Sequence, residues 1–283
     1  MGLAHDTYNY KKKAHAQAKA ITRAKLIFRS LGLSIHAFLR KARVSPWKAI
    51  SLEKTKSKRS ETLTKLYIVG AGPGSADYVT PAARKAVQKA QVVIGAECIL
   101  KLFREDIKGQ TLTLTMENID DALKCALDSV KSGKTVAVVS TGDPGFSGLL
   151  GSVLRRSIGK SVEVSVVPGI SSLQACAARL CMVWDDAVLI TFHKGASVER
   201  KRELADAVKA GKTVLLLPDP RAFAPSEISE YLLKAGVNKG TRVAVCENLT
   251  SADERIVETT LEGALKRSFD PTNVMVIKSN LKK

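Results

Sequence analysis

Two short turns rich in glycine and proline carry the residues best suited to hold a ligand. One is Ser140–Phe146, with the sequence STGDPGF, and the other is Val167–Ser172, with the sequence VPGISS. Each follows an apolar, β-branched segment that is typical of a buried strand. Ligand sites of open α/β sheets lie at the carboxyl ends of such strands. The turns therefore predict one shaped pocket formed by backbone and small polar side chains.

Two polar residues in these turns have more than one interpretation. The carboxylate of Asp143 could accept hydrogen bonds from amino or hydroxyl groups of a ligand, although aspartate before proline is also a common turn residue. The Ser171 hydroxyl could contact a ligand, cap the following helix, or do both. Sequence alone leaves these alternatives open.

His193 is the only histidine after residue 64, and it follows a predicted strand. An imidazole titrates near neutral pH, so it could contact a substrate or accept a proton; the alternative is a strand-end residue held by backbone. Lys194 could pair with a substrate carboxylate or remain a solvated surface lysine. The sequence contains no evident Ser/His/Asp set, carboxylate pair or His/Cys cluster with metal-ligand spacing, and we expect no metal site.

A third glycine-rich segment, Gly70–Gly74, follows the first predicted strand. A dinucleotide-binding loop would run directly into a helix whose amides hold a pyrophosphate. Here Pro73 removes one amide, and five residues separate Gly74 from the next helix cap, although Glu97 could serve as a ribose-binding acid. We favour a loop that lines a substrate cleft over a dinucleotide site or a purely structural turn.

The elements that position these turns alternate between strand and helix, which predicts an α/β fold with largely parallel pairing. Some antiparallel pairing is expected near the end of the chain, where strands are short. We predict strands at 66–69, 92–94, near 112, 135–139, 162–167, 187–192, 213–217, 242–246, 256–260 and 274–277. We predict helices at 81–90, 118–131, 148–157, 171–180, 198–209, 226–234 and 261–267.

The charge of the chain is uneven. Residues 1–64 hold 15 lysines and arginines against 3 acidic residues, whereas residues 65–283 hold 30 against 24. The extension could be a nucleic-acid arm, a contact to an acidic membrane or a transit peptide, but we favour a disordered tail or a start site assigned too early. Because the body is only mildly basic, we do not expect it to bind nucleic acid.

Cysteine content and hydropathy limit the cellular setting. The five cysteines form no CxxC pair and are odd in number, which favours small buried thiols over a disulfide framework. No apolar run approaches the roughly 18 residues of a membrane span, and no signal peptide opens the sequence. We therefore expect a cytoplasmic protein without membrane contact.

Taken together, the three turns resemble the tetrapyrrole methylase family. The matching segments are Val69–Gly74, Ser140–Phe146 and Val167–Ser172, in that order, within about residues 65–278. The resemblance implies a class III S-adenosylmethionine methyltransferase with two α/β domains and a cofactor cleft between them. We expect an N-terminal domain at 65–168 and a C-terminal domain at 169–283, and by the same resemblance a homodimer.

Further segments resemble the subfamily that methylates C-5 of cobalt-precorrin-7, or of precorrin-6Y in the aerobic route. They are Pro168–Gln174, Ala178–Leu180, Trp184–Ala187, Glu247–Leu249 and Asp253–Ile256. The subfamily commonly has a His-Gly-Arg turn where this chain has His193-Lys194-Gly195. The positively charged residue therefore lies one position earlier, and it is a lysine, which acts as a point charge and not as a bidentate fork. In some relatives a C-15 methylating, C-12 decarboxylating domain is fused; here we expect a separate polypeptide to supply it.

The resemblance also assigns roles to residues. The cofactor-binding residues it implies are Thr141, Gly142, Asp143, Phe146, Ser171, Ser172, Leu217 and Leu249, and the last two are equally plausible as core. The substrate-binding residues are Gly72, Pro73, Gly74 and Lys194, with His193 as the catalytic candidate. Other hypotheses are a different precorrin methylase, diphthine synthase, an RNA 2′-O-methyltransferase of the same architecture, and a non-enzymatic nucleic-acid-binding protein.

Overall fold

The computed structural model describes residues 65–157 and 162–278, which form an α/β structure with two five-stranded sheets. The strands are β1 (Lys65–Gly70), β2 (Val92–Gly95), β3 (Gln110–Thr113), β4 (Val136–Ser140), β5 (Glu163–Val167), β6 (Val188–Thr191), β7 (Val214–Leu217), β8 (Arg242–Glu247), β9 (Arg255–Thr260) and β10 (Asn273–Ile277). The helices are α1 (Pro81–Gln88), α2 (Glu97–Leu102), α3 (Ile119–Lys131), α4 (Leu150–Ser157), α5 (Ser172–Arg179), α6 (Val198–Lys209), α7 (Pro225–Lys234) and α8 (Leu261–Leu265). The interpretations of residues 1–64 lie outside the described part.

The first sheet has the order β3-β2-β4-β1-β5, and all its strand pairs are parallel. Strand β4 is buried along its whole length, because helices cover both faces of a parallel sheet. Side chains of α1 and α2 pack on one face, and those of α3 and α4 pack on the other. This alternation explains why the sequence here reads as short β-branched runs between amphipathic segments.

The second sheet has the order β6-β7-β10-β8-β9, and only β6 and β7 pair in parallel. The final strand inserts between β7 and β8 and runs against both, so this sheet is more antiparallel than the sequence predicts. Helices α6, α7 and α8 pack on one face. Helix α5 packs on the other face together with residues of the β4–α4 and β8–β9 connections.

The sheets divide after β5, near the predicted boundary at Pro168. The division into two domains, at 65–168 and 169–283, stays a prediction. The α/β fold class is confirmed, and the predicted strands correspond to observed ones. Helix α2 was not predicted; it has six residues, no side-chain cap and only one buried residue. So short an element leaves little periodicity to detect.

The prediction of buried thiols is correct for two cysteines and wrong for three. Cys176 and Cys246 are buried, with their sulfur atoms 3.4 Å apart, whereas Cys98, Cys125 and Cys181 are exposed. The contact with Cys246 and burial together raise the pKa of the Cys176 thiol. Among the described residues, no helix is long and apolar enough to cross a bilayer.

Candidate functional site

The three glycine-rich turns meet because their strands are neighbours. Strand β1 lies between β4 and β5, and the register pairs Gly70 with Ser140 and Val69 with Val167. Parallel strands end at the same edge of a sheet, so the segments that follow these three strands emerge side by side. The structure thus brings together the turns that the sequence analysis selected.

Backbone contact between glycines fixes how closely the turns approach. A Cβ atom on Gly70 would lie 2.4 Å from the Gly169 nitrogen, and one on Gly169 would lie 2.3 Å from the Gly142 oxygen. No side chain fits at such distances. These two glycines are therefore required for packing between the turns, and their role does not depend on a ligand.

The turn after β4 is tied to both of its neighbours. Gly142 donates its backbone N–H to the Gly72 carbonyl at 2.8 Å and accepts from the Gly72 N–H at 3.4 Å. Asp143 accepts from the Gly145 N–H at 2.8 Å with one carboxylate oxygen and from the Gly169 N–H at 3.2 Å with the other. Asp143 thus holds the turn together, as its turn interpretation predicts, and a ligand contact would use its remaining lone pairs.

Gly142 lies beside the start of α5. It has φ +62°, and a Cβ there would make ordinary van der Waals contact, at 3.9 Å, with the backbone of Ser171 and Ser172. Thr141 is exposed, and the two serines are half-buried. The structure therefore brings together four of the predicted cofactor-binding residues, Thr141, Gly142, Ser171 and Ser172, which are called the cradle.

Ser171 caps α5 in a capping box: its hydroxyl accepts from the Leu173 N–H at 3.3 Å, and its own N–H donates to the Gln174 side chain at 2.8 Å. The predicted cap is confirmed. The N-terminus of α5 lies next to Gly142, and the partial positive charge of a helix N-terminus favours a negatively charged group.

The three apolar residues of the predicted cofactor-binding set lie in one hydrophobic cluster. Phe146 is half-buried and packs against the cluster on the α5 face of the second sheet. Leu217 and Leu249 belong to the same cluster and are only 6% and 4% exposed. They are core residues that lie at the carboxyl ends of β7 and β8. An adenine contact by either leucine stays a prediction.

His193 is connected to the turn after β4 through one hydrogen-bonded pair. Ser147 donates its hydroxyl to the Thr191 hydroxyl at 2.6 Å, and the His193 N–H donates to the same Thr191 oxygen at 3.2 Å. Surrounding protein atoms lower the pKa of His193 by desolvation, and nearby Asp219 opposes this shift. His193 remains accessible to solvent at the turn, and the lowered pKa favours the neutral form of its imidazole.

The remaining predicted substrate residues lie on two loops. Lys194 is exposed beside His193. Gly72 and Pro73 are buried, and Gly74 is half-buried against the connection between β8 and β9. The glycine loop leads into a single turn of 3-10 helix before α1 begins at Pro81, so it lacks the direct loop-to-helix junction of a dinucleotide site.

Several residues of this region were missed by the sequence analysis. Ser147, Asn248 and Thr250 have left-handed backbones, with φ of 59°, 50° and 70°. Asparagine adopts this conformation readily, so Asn248 after a strand was a detectable signal. Serine and the β-branched threonine do so rarely, and no sequence pattern predicts a left-handed backbone at Ser147 or Thr250.

Comparisons with known proteins agree with the resemblance. The family model described as tetrapyrrole (corrin/porphyrin) methylases matches residues 65–265. A probable cobalt-precorrin-7 C(5)-methyltransferase of Methanocaldococcus jannaschii is 34% identical over 211 residues, covering 75% of this chain and 96% of the relative. A cobalt-precorrin-4 C(11)-methyltransferase of Priestia megaterium is 29% identical, covering 70% of this chain and 80% of the relative.

Solved structures give the same picture. The precorrin-6Y methylase of Archaeoglobus fulgidus is 26% identical with a TM-score of 0.57, and the match covers 77% of this chain and 99% of that one. A cobalt precorrin-4 methyltransferase is 26% identical with a TM-score of 0.61, covering 76% and 94%. Sequence match, fold and turn geometry lead to one conclusion: the chain is a methyltransferase that belongs to the tetrapyrrole methylase family.

Proposed function

We propose that the protein transfers a methyl group from S-adenosylmethionine to C-5 of a cobalt-precorrin, cobalt-precorrin-7, in cobalamin biosynthesis. The observation that carries the proposal is the convergence of three glycine-rich turns on one edge of the first sheet, against an apolar wall from the second. The relative from M. jannaschii, matched over 96% of its length, supports the acceptor position.

The residues present fit this donor. Gly142 has no side chain to stand between a ligand and the start of α5, and its neighbours Thr141, Ser171 and Ser172 carry hydroxyl groups. Phe146 with the Leu217 and Leu249 edge offers an apolar surface for the adenine. Asp143 supports the cradle by holding Gly145 and Gly169, and its remaining lone pairs can accept hydrogen bonds from amino or ribose groups.

When bound, S-adenosylmethionine supplies an electrophilic methyl group that is already activated by the sulfonium charge. A meso carbon of a reduced tetrapyrrole is enamine-like and nucleophilic. The chain therefore has to align the two reactants and exclude water, and such positioning can supply much of the rate. The closely packed backbone network around Gly72, Gly142 and Gly169 is suited to this task because it leaves little freedom for movement.

His193 and the glycine loop Gly72–Gly74 serve the acceptor. A neutral imidazole can accept the proton that leaves the macrocycle, or hydrogen-bond a peripheral group. Lys194 pairs as a point charge with a substrate carboxylate. The protein works as a cytoplasmic homodimer, and a separate C-15 methyltransferase and decarboxylase consumes its product.

The test combines binding with product analysis. Labelled S-adenosylmethionine is incubated with the protein and a panel of corrinoid intermediates, and NMR locates the new methyl group. We expect methylation at C-5. Methylation at another carbon overturns the assignment of position, and absence of transfer to every tetrapyrrole overturns the assigned activity.

The Asp143→Ala variant tests the donor site by calorimetry. Loss of hydrogen bonds to a charged group typically costs about 1.5–3 kcal/mol, so the dissociation constant should rise roughly 10- to 150-fold. NAD serves as the control ligand and should not bind either protein. Tight NAD binding without S-adenosylmethionine binding would contradict the proposal.

A second candidate is methylation at C-11 of cobalt-precorrin-4. It is favoured by relatives at 29% and 28% identity and by a structural neighbour with a TM-score of 0.61. The product analysis separates the two, because the methyl group then appears at C-11.

A further inference from the structure

A chain of contacts joins the glycine loop to the β8–β9 connection and to α5, outside the residues assigned above. The Ser75 N–H donates to the Thr250 hydroxyl at 3.0 Å, and the Thr250 N–H donates to one Glu254 carboxylate oxygen at 2.6 Å. Arg179, at the end of α5, donates to the other Glu254 oxygen at 2.7 Å, and this hydrogen bond raises the pKa of the Arg179 guanidinium.

This chain of contacts holds the start of the short 3-10 turn that follows the glycine loop, because Ser75 is the N-cap of that turn. Just before it, Gly74 lies against the β8–β9 connection, where a Cβ would come within 3.0 Å of the Leu249 oxygen. The glycine loop, which is proposed to contact the acceptor, therefore packs on the turn that carries Leu249, a proposed contact of the donor.

The Thr250 backbone is strained in order to make this contact. Its φ of +70° is a left-handed conformation that β-branched residues rarely adopt. Its N–H and its hydroxyl point to different partners, Glu254 and Ser75, and both contacts depend on that conformation. Backbone strain that the surroundings enforce in this way is typical of ligand clamps.

The ion pair at the end of this chain of contacts is partly buried, with the Arg179 and Glu254 side chains 38% and 20% exposed. Because Glu254 accepts from Arg179 with one oxygen and from the Thr250 N–H with the other, the ion pair fixes the carboxylate that holds Thr250. We propose that Thr250, Glu254 and Arg179 are positioning residues that hold the glycine loop at a fixed distance from the donor site.

This inference rests on the proposed function, because it assigns the glycine loop to the acceptor and the Leu249 turn to the donor. In-line transfer needs the reacting atoms about 3–3.5 Å apart, and a misplacement of about 1 Å can cost roughly 100-fold in rate. Gly72 is held separately, by the two hydrogen bonds that it exchanges with Gly142. Loosening at Thr250 should therefore move Gly74 and the turn after it, and leave the donor cradle in place.

The test compares three threonine variants of the full chain. Thr250→Val removes the hydroxyl acceptor but keeps the β-branch, Thr250→Ser restores the hydroxyl, and Thr111→Val repeats the Thr-to-Val change on the exposed edge strand β3. The measurements are hydrogen–deuterium exchange of the peptide Gly72–Tyr78, affinity for S-adenosylhomocysteine, and kcat and KM for the corrinoid acceptor.

We expect Thr250→Val to speed exchange at Ser75 and to lower kcat about 10- to 100-fold, with donor affinity nearly unchanged. Thr250→Ser should recover most of both, and Thr111→Val should behave as wild type. Unchanged exchange in Thr250→Val, or faster exchange with normal kcat and KM, overturns the inference. So does a uniform loss of binding and rate that follows only the folded fraction. If the wild type itself methylates no tetrapyrrole, the proposed function fails and this assignment fails with it.

Discussion

At the residue scale, the closest packing in the site is between glycine backbones. Gly70 and Gly169 touch each other and the Gly142 carbonyl, so no neighbouring side chain can move aside to admit a methyl group. The shape of the cradle is therefore fixed by the absence of side chains at these positions.

We expect Gly169→Ala to destabilise the protein by about 1–3 kcal/mol, as overpacking of a tight interior does. Gly151→Ala is the matched control: it lies in α4, and its Cβ would approach only the flexible end of Arg155, at 3.4 Å. Alanine in a helix is favoured over glycine by roughly 0.5–1 kcal/mol. Urea unfolding measures both; equal stability of the two variants would contradict the close packing.

His193 gives a prediction about pH. Desolvation lowers its pKa in the folded protein, so between its folded pKa and about 6.5 the unfolded chain binds a proton that the native state does not. Stability should therefore fall as the pH drops through that window. If the neutral imidazole accepts a proton from the substrate, kcat/KM should also decline on the acid side, at a pH below that of an ordinary histidine.

The His193→Asn variant checks this assignment. It should remove the acid-side decline in kcat/KM and flatten the pH dependence of unfolding, while affinity for S-adenosylhomocysteine stays the same. An unaltered pH profile would assign the decline to another group.

At the element scale, helix α5 links the two sheets to the donor cradle. Its capping box sits at the cradle, its apolar face packs on the second sheet, and its last residue, Arg179, contacts Glu254. The helix is short, so its start depends strongly on the Ser171 cap.

We expect Ser171→Ala to lower stability by about 0.5–2 kcal/mol, the usual cost of a lost N-cap. Ser171→Asp keeps an acceptor for the Leu173 N–H and should retain most of that stability. If Ser171 acts only as a cap, donor affinity per folded molecule is the same in both variants. Weaker donor binding by Ser171→Asp at normal stability indicates a direct contact. Thermal unfolding and calorimetry separate these effects.

Most elements could be predicted because their signals are local. Strand β4 is a short run rich in valine, and α1 follows Thr80, whose hydroxyl accepts from the Ala83 N–H as a cap should. The turns after β1, β4 and β5 were selected correctly because glycine and proline mark strand ends. Their role in packing one turn on another could not be read from the sequence, since it depends on strand order.

Other features depend on tertiary contacts and leave no local signal. The insertion of β10 between β7 and β8 is a matter of topology, and it makes the second sheet mostly antiparallel. The left-handed Thr250 contradicts its intrinsic preference and exists because Ser75 and Glu254 hold it. Asp143 was proposed as a ligand contact, yet its visible partners are the amides of two turns.

At the scale of the whole molecule, the net positive charge is concentrated away from the candidate functional site. Residues 1–64 carry most of the net positive charge and lie outside the family match, which begins at residue 65. We therefore expect a protein that starts at Leu63 to fold and to retain kcat and KM. Circular dichroism and the methyl-transfer assay provide the check. Loss of both would show that the extension packs on the body.

A homodimer is the assembly that we propose for this family member. Light scattering of the shortened protein at micromolar concentration should give twice the mass of one chain. A monomer at that concentration, with full activity, would contradict the proposed assembly.

The contact between Ser75 and Thr250 joins residues 175 positions apart along the chain. During synthesis, the first sheet can form while the partner of the glycine loop has not yet left the ribosome, because domains generally fold from the N-terminal end. The loop gains its final restraint only when the β8–β9 hairpin has emerged and paired. The protein therefore becomes able to align its two reactants only late in synthesis, after most of the hydrophobic core of the first sheet has formed.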